Sequence, residues 1–328
     1  MPARHPSIAA ALGGVRPALA AARTGGRLGV LVACSGGADS TALLGLLALV
    51  APADGLDLTI GHIDHGLRAA SVEEAAHVVE IGRGLGLRVL TTRLALEAGP
   101  GLPARAREAR RAALREQAAA CGAAAIALGH TRTDQAETVL MHVTRGAGLA
   151  GVAAMAAWES PWLRPLLDLP RSETRALCGR LGLGFMDDPT NLDPRHPRVR
   201  MREQILPALG RENPQVEAAL AQLAAHAADA EAALTDWATR EAAARRTGPG
   251  SWSAAGMAGL PRAVRTRVLR KICGEGGAAL AELGHATIAA IDRALAEGPE
   301  NARVWDLRPG RRVRLTAGVL FVEAVAAG

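Results

Sequence analysis

Residues 28–50 read LGVLVACSGGADSTALLGLLALV. Leu28–Cys34 is a short, continuous apolar run of the kind a buried strand carries, and Thr41–Val50 is rich in the helix formers Ala and Leu. Between them stand Ser35, Gly36, Gly37, Ala38, Asp39 and Ser40. A glycine-rich turn from a strand into a helix exposes backbone N–H groups beside the positive end of the helix dipole, which is an anion cradle. Gly36 and Gly37 let a phosphate approach the backbone, and the hydroxyls of Ser35 and Ser40 add donors. A plain connection capped by Ser40 would need none of this. The cluster of small polar residues, the acid inside the loop and the place of the loop in the chain favour the anion site. The loop lacks both the GxxxxGK[ST] pattern and the GxGxxG pattern.

Outward from this stretch, short β-like runs alternate with helical patterns over about the first 200 residues. The strands are expected at 28–34, 58–64, 88–94 and 123–128, and the helices at 41–50, 72–85, 104–120 and 135–145. Such alternation predicts an α/β fold, a Rossmann-like doubly wound parallel sheet whose ligands bind beyond the carboxyl ends of the strands. From about Asn213 the texture changes. Residues 215–246 form a long Ala/Glu/Leu helical pattern, and the tail NARVWDLRPGRRVRLTAGVLFVEA reads as short strands joined by turns. Two domains are expected, 1–209 and a smaller α+β domain at 210–328. The Ala-rich, Arg-bearing start is read as a short amphipathic helix rather than a targeting peptide.

Composition narrows the classes. Hydrophobic residues make up 49% of 328 and charged residues 21%, enough apolar material for packed cores. No apolar run reaches the ~18 residues of a membrane span, so no membrane partner is expected. The four cysteines, Cys34, Cys121, Cys178 and Cys273, are scattered with no CxxC pair, which suits a reducing cytoplasm and gives no zinc or iron–sulfur motif. His62 and His65 lack a third ligand at a useful spacing. The net charge is +6, and 37 of the 38 basic residues are arginines, so polyanions are favoured partners. Aromatics are only 2% with no tyrosine, which leaves RNA binding to arginine–phosphate contacts and shape rather than extensive stacking. Tryptophans such as Trp237, Trp252 and Trp305 are expected as core anchors.

The SGGADS stretch resembles the SGGxDS loop of the PP-loop ATP pyrophosphatases, which cleave ATP between the α- and β-phosphates and adenylate a substrate. The resemblance gives Asp39 a role, since a carboxylate in a phosphate site needs a cation, most simply Mg²⁺ bridging it to phosphate oxygens. Further blocks narrow the family. GHTRTDQAETVLMHVTRGAGLAGVAAM (129–155) sets His130 at a strand end, with Asp134 and Glu137 three apart on one helical face, where they could also serve as a dipole-stabilising cap. HIDHGLR (62–68), ARAREARRAAL (104–114) and RPLLDLPRSETRALCGRLGLGFMDDPTNLDPRHPRVRMREQILPAL (164–209) follow. Together, from 28 to 209, they resemble tRNA(Ile)-lysidine synthetases in kind and order. Departures occur at Thr133, where the family usually has an aspartate, and at Arg111, Thr190 and the segment RHPRVRMR.

The resemblance implies ATP-dependent ligation of L-lysine, by its ε-amine, to carbon 2 of the wobble cytidine in the CAU anticodon of isoleucine tRNA, through an adenylated cytidine. It implies ATP at Ser35–Ser40 and His130, Mg²⁺ at Asp39, and catalytic work for Asp39, Asp134, Glu137, Arg107 and Arg110. It leaves the division of roles between Asp134 and Glu137 open. Substrate contacts fall to Arg198 and Arg200, blurred by the nearby Arg202. Arginines 308, 311, 312 and 314 of the tail are expected on the tRNA. The oligomeric state stays open, a homodimer included. Two rivals stand beside this reading: another PP-loop enzyme such as a tRNA thiolase, which commonly needs paired cysteines, and a noncatalytic RNA-binding module, against which the intact loop speaks.

Overall fold

The computed structural model describes residues 5–64, 66, 71–97, 99–187, 193, 195–280, 282–298, 302–307 and 310–325. The chain forms two compact units, 1–228 and 229–328. In the first, the elements run α1 (Pro6–Ala22), β1 (Leu28–Ala33), α2 (Ala38–Asp54), β2 (Leu56–Asp64), α3 (Ser71–Leu85), β3 (Arg88–Arg93), α4 (Leu102–Cys121) and β4 (Ala125–Ala127). They continue with α5 (Arg132–Val143), α6 (Leu149–Val152), β5 (Trp158–Glu159), β6 (Trp162–Leu163), α7 (Arg171–Leu181), α8 (Pro197–Arg200), a π-helical turn at Met201–Ile205, and α9 (Leu206–Glu212). Helix α10 (Val216–Arg245) contains the division between the units.

Strand β1 explains the layering. With side chains alternating along a strand, Leu28, Val30 and Val32 enter one core with α1, α2, α3 and α7, while Leu31 and Ala33 enter the other with Leu114 and Ala118 of α4 and with Trp162. The strand is therefore apolar on both faces, as a central strand of a covered parallel sheet must be. The sheet order is β3-β2-β1-β4-β6-β5. Strands β1–β2, β2–β3, β1–β4 and β4–β6 pair in parallel, and β5 closes the edge antiparallel to β6. From β1 the chain first builds outward on one side and then returns to the other through β4. That reversal opens a crevice beyond the carboxyl ends of β1 and β4, where doubly wound sheets bind ligands.

The expected strands and helices lie within a few residues of those observed. Strand β4 is shorter than expected, three residues instead of six. The edge pair β5–β6 and the helices α7, α8 and α9 went unforeseen.

The second unit holds β7 (Arg246–Gly248), β8 (Ser251–Ser253), α11 (Arg262–Glu275), α12 (His285–Glu297), β9 (Arg303–Leu307), β10 (Arg311–Thr316) and β11 (Val319–Ala324). Its antiparallel sheet runs β7-β8-β11-β10-β9. Trp252, fully buried, packs with Met257, Ile272, Leu315 and Leu320 as the expected core anchor. Trp305 is half-buried beside the same core. Trp237 departs from the expectation: it is 39% exposed on α10 and donates its indole N–H to Glu241 Oε1 at 3.1 Å. Arg312 pairs with Asp306 and Arg314 with Glu323. Arg270, Arg293 and Arg311 have no carboxylate partner among the described residues. Arg308 lies outside the described residues. No described helix is long and apolar enough to cross a membrane.

Candidate active site

The glycine loop forms as its residues require. Gly36 sits at φ +87°, a conformation L side chains rarely adopt, and Gly37 caps α2 in an extended conformation. Ser40 ties the turn together: its hydroxyl donates to the Gly37 carbonyl (3.0 Å), accepts the Ser35 N–H (3.2 Å) and lies 3.2 Å from Ser35 Oγ. Met186 N–H closes the outer side on the Gly36 carbonyl at 2.9 Å. The first N–H groups of α2 have no partner within the helix and face the crevice end of the strand. Gly129, just past β4, lets the two strand ends approach. A Cβ there would stand 3.0 Å from the carbonyl carbon and oxygen of Asp39 and from the Cα of Ser40.

Asp39 lies in the first turn of α2, 20% exposed at its side chain. Thr174 of α7 donates to its Oδ1 at 2.7 Å, and Arg171 Nε stands 3.6 Å from its Oδ2. Burial pushes the Asp39 carboxyl above its ordinary value; Arg171 and Thr174 pull it down, and the charge of Asp134 pushes it further up. The charge of Asp134, from the neighbouring strand end, thus reaches Asp39.

Helix α5 presents the second carboxylate set. Asp134 serves as the expected cap and is also drawn into the site: with Thr131 it forms a capping box, its Oδ2 accepting the Thr131 N–H and hydroxyl, both at 2.8 Å. Its Oδ1 has Arg202 Nη2 at 3.8 Å. His130, at the strand end, is pushed down to about 4 by burial, against the pull of Asp134, and is neutral at physiological pH. Glu137 is fully buried and spends both oxygens on arginines: Arg202 Nε donates to Oε1 at 2.6 Å and Arg198 Nε to Oε2 at 2.8 Å. Arg198 also donates to Thr138 Oγ1 at 2.9 Å. Burial raises the Glu137 carboxyl, while Arg202 and Arg198 draw it back down.

The structure brings Asp39, His130, Asp134, Glu137 and Arg198 into one neighbourhood. Arg107 of α4 joins them, its guanidinium lowered by burial and by the charges of Arg198 and Arg111; the charge of Arg110 acts on His130. Arg111 and Arg115 stack on Trp162 at 4.6 and 5.1 Å from the ring centre, so that part of the basic helix is structural. Arg200 donates to the Arg195 carbonyl at 3.0 Å. His62 donates Nδ1–H to the Cys34 carbonyl at 2.9 Å, supporting the loop from β2. His65, Arg68 and Thr190 lie outside the described residues. Sequence reasoning missed Arg171, Thr174 and Gly129, and gave Arg202 no role of its own. Thr133, where the family usually has an aspartate, donates to Glu217 Oε2 at 2.8 Å and accepts the Arg171 N–H at 3.2 Å. A glutamate from the start of α10 therefore stands beside that position.

A strand–SGGADS–helix cradle at the switch point of a parallel sheet defines a PP-loop nucleotide-binding domain, and residues 18–209 match the PP-loop domain family model. The chain also resembles a solved U34-tRNA thiolase from Methanococcus maripaludis, with a TM-score of 0.57 at 19% identity over 67% of this chain and 78% of that one, a likeness of fold. Closer in sequence are the tRNA(Ile)-lysidine synthases of Thermobifida fusca (42% identical, covering 90% of this chain and 91% of that one) and Salinispora arenicola (44%, covering 98% of each). The chain belongs to the tRNA(Ile)-lysidine synthase family.

Proposed function

We propose that the protein is an ATP-dependent ligase. It joins the ε-amine of L-lysine to carbon 2 of the wobble cytidine in the CAU anticodon of isoleucine tRNA. The carbonyl oxygen of that cytidine is first adenylated, with release of pyrophosphate; amine attack then expels AMP. The observation that carries the proposal is the Asp39 carboxylate inside an anion cradle, within the field of Asp134 from the neighbouring strand end. Family membership supplies the substrate class.

The residues divide the work. The N–H groups and hydroxyls of Ser35–Ser40 bind the phosphates of ATP, with neutral His130 at the edge of the pocket. Asp39 fits a Mg²⁺ ion, which commonly takes one or two carboxylates together with substrate phosphates, and bound there the ion would withdraw charge from the phosphates. Asp134 keeps Oδ1 outside its cap, which suits it to orient the lysine ammonium and accept its proton. Glu137 has no oxygen to spare. It positions Arg198 and Arg202, whose guanidiniums stabilise the negative charge of the departing AMP. Arg107 and Arg110 extend the positive field toward the RNA backbone. In the second unit, Arg270, Arg293 and Arg311 are the proposed tRNA phosphate contacts. Its substrates place the protein in the cytoplasm.

The test is to incubate the full chain with ATP, Mg²⁺, labelled lysine and total tRNA, then digest the tRNA to nucleosides. Label in a modified cytidine, with AMP formed in equal amount, is expected. Absence of label, or incorporation of sulfur instead, overturns the proposal.

A further inference from the structure

Helix α7 touches the loop at three points. Cys178 Sγ lies 3.3 Å from the Ala38 carbonyl, Thr174 donates to Asp39 Oδ1, and Arg171 faces Asp39 Oδ2. The last two differ in kind. Thr174 is 1% exposed, and its hydroxyl lies between Asp39 Oδ1 (2.7 Å) and the Arg171 carbonyl (2.8 Å), so its rotamer is fixed and one carboxylate oxygen is held. Arg171 has its backbone anchored by Thr133, but its side chain is 36% exposed and its Nε stands 3.6 Å from Oδ2, beyond hydrogen-bond length. Its ion pair with Asp39 is its only one among the described residues.

We infer that Arg171 is a stand-in cation and Thr174 an aiming group: Thr174 holds Oδ1 and presents Oδ2, which Arg171 neutralises until a divalent cation displaces it. Both are positioning residues, and the inference rests on the proposed metal role of Asp39. An outer hydrogen bond that orients a ligating carboxylate commonly carries 10–100-fold of metal affinity. A half-exposed competing charge carries less.

The two residues therefore act with opposite sign, which a merely structural role would not produce. Mn²⁺ is titrated by electron paramagnetic resonance against the full chain saturated with α,β-methylene-ATP. Thr174→Val should weaken Mn²⁺ binding about 10-fold, with Thr174→Ser restoring it. Arg171→Gln should tighten it about 3-fold, and Arg171→Lys should return it toward the starting value. Asp39→Asn separates the layers. If it binds Mn²⁺ like the unaltered chain, the metal role falls and this inference with it. If it loses binding while Arg171→Gln fails to tighten it, or Thr174→Val binds like Thr174→Ser, only the positioning roles are overturned.

Discussion

Asp39→Asn tests whether function at the loop is held at the expense of stability. Asparagine is isosteric, and its side-chain oxygen still accepts the Thr174 hydroxyl that now lies 2.7 Å away. The change removes the ion pair with Arg171, which at 3.6 Å and 36% exposure is worth under about 1 kcal/mol. It also removes a buried charge and its repulsion with Asp134, the two influences that raise the carboxyl. A carboxyl raised by folding holds its proton more tightly in the fold than in the unfolded chain. Above its folded pKa it therefore costs stability, and a group that cannot ionise does not. At pH 7 the variant should be within about 1 kcal/mol of the original, on the stable side. For a unit of this size its melting temperature should shift by no more than about 2–4 °C. Turnover should fall at least ~100-fold, the scale of losing one stabiliser of developing charge, or about 2.7 kcal/mol of barrier. Calorimetry and single-turnover AMP release measure the two quantities on one preparation. Near-normal turnover refutes the metal-directed role, and destabilisation beyond about 2 kcal/mol refutes the account of Asp39 as a strained functional group.

Three further outcomes are expected. Glu137→Gln and Arg202→Gln should be coupled, because each loosens what the other holds; a double-mutant cycle on kcat/KM should give at least ~1 kcal/mol, and additivity would remove Glu137 from the arginine-positioning role. His130, held near 4 in the fold against an ordinary 6.5, leaves the unfolded chain binding more protons between those values. Stability should therefore drop by about 3 kcal/mol as pH falls from 6.5 to 4, and His130→Asn should flatten that slope in urea titrations at pH 4.5 and 7. Arg293→Ala and Arg311→Ala should each reduce the salt dependence of tRNA binding by about one phosphate contact, while Arg312→Ala, whose charge Asp306 already engages, should change it less. Equal slopes for all three would leave the second unit without the proposed RNA role.

The loop and its strand were legible because everything that makes them is local: a two-sided apolar run, two glycines and a helix start within a score of residues. The alternation of strands and helices was legible for the same reason. The partners of the site were not, because they come from far along the chain. Thr174 is 135 residues from Asp39, and Arg198 and Arg202 are 61 and 65 residues from Glu137. Nothing in the stretch 164–209 says that Thr174 faces an aspartate in the first turn of α2. Trp237 misled for a related reason: residue type favours burial, but its position on α10 leaves it exposed, bonded to Glu241 on the next turn of its own helix.

The same distance explains why Asp134 and Glu137 looked interchangeable. Three residues apart on one helix face, they share everything that local spacing can express. What separates them is the number of oxygens each has left after its partners are satisfied. Glu137 is closed, with an arginine on each oxygen and no exposure. Asp134 is half open, one oxygen spent on the Thr131 cap and the other near Arg202 at 3.8 Å. Asp39 is the loosest, held by one hydroxyl and a long, partly exposed ion pair. Exchange of ligands during a reaction requires open coordination, so in the proposed mechanism the order Asp39, Asp134, Glu137 runs from metal and substrate contact to scaffold. Glu137 could take an ammonium only by giving up one of its guanidinium partners, and release of the largely buried Arg202 would strand a charge in the interior at a cost of several kcal/mol. In the proposed mechanism Glu137 therefore contributes through the arginines it aligns, and Asp134 is the carboxylate on α5 left to meet a substrate.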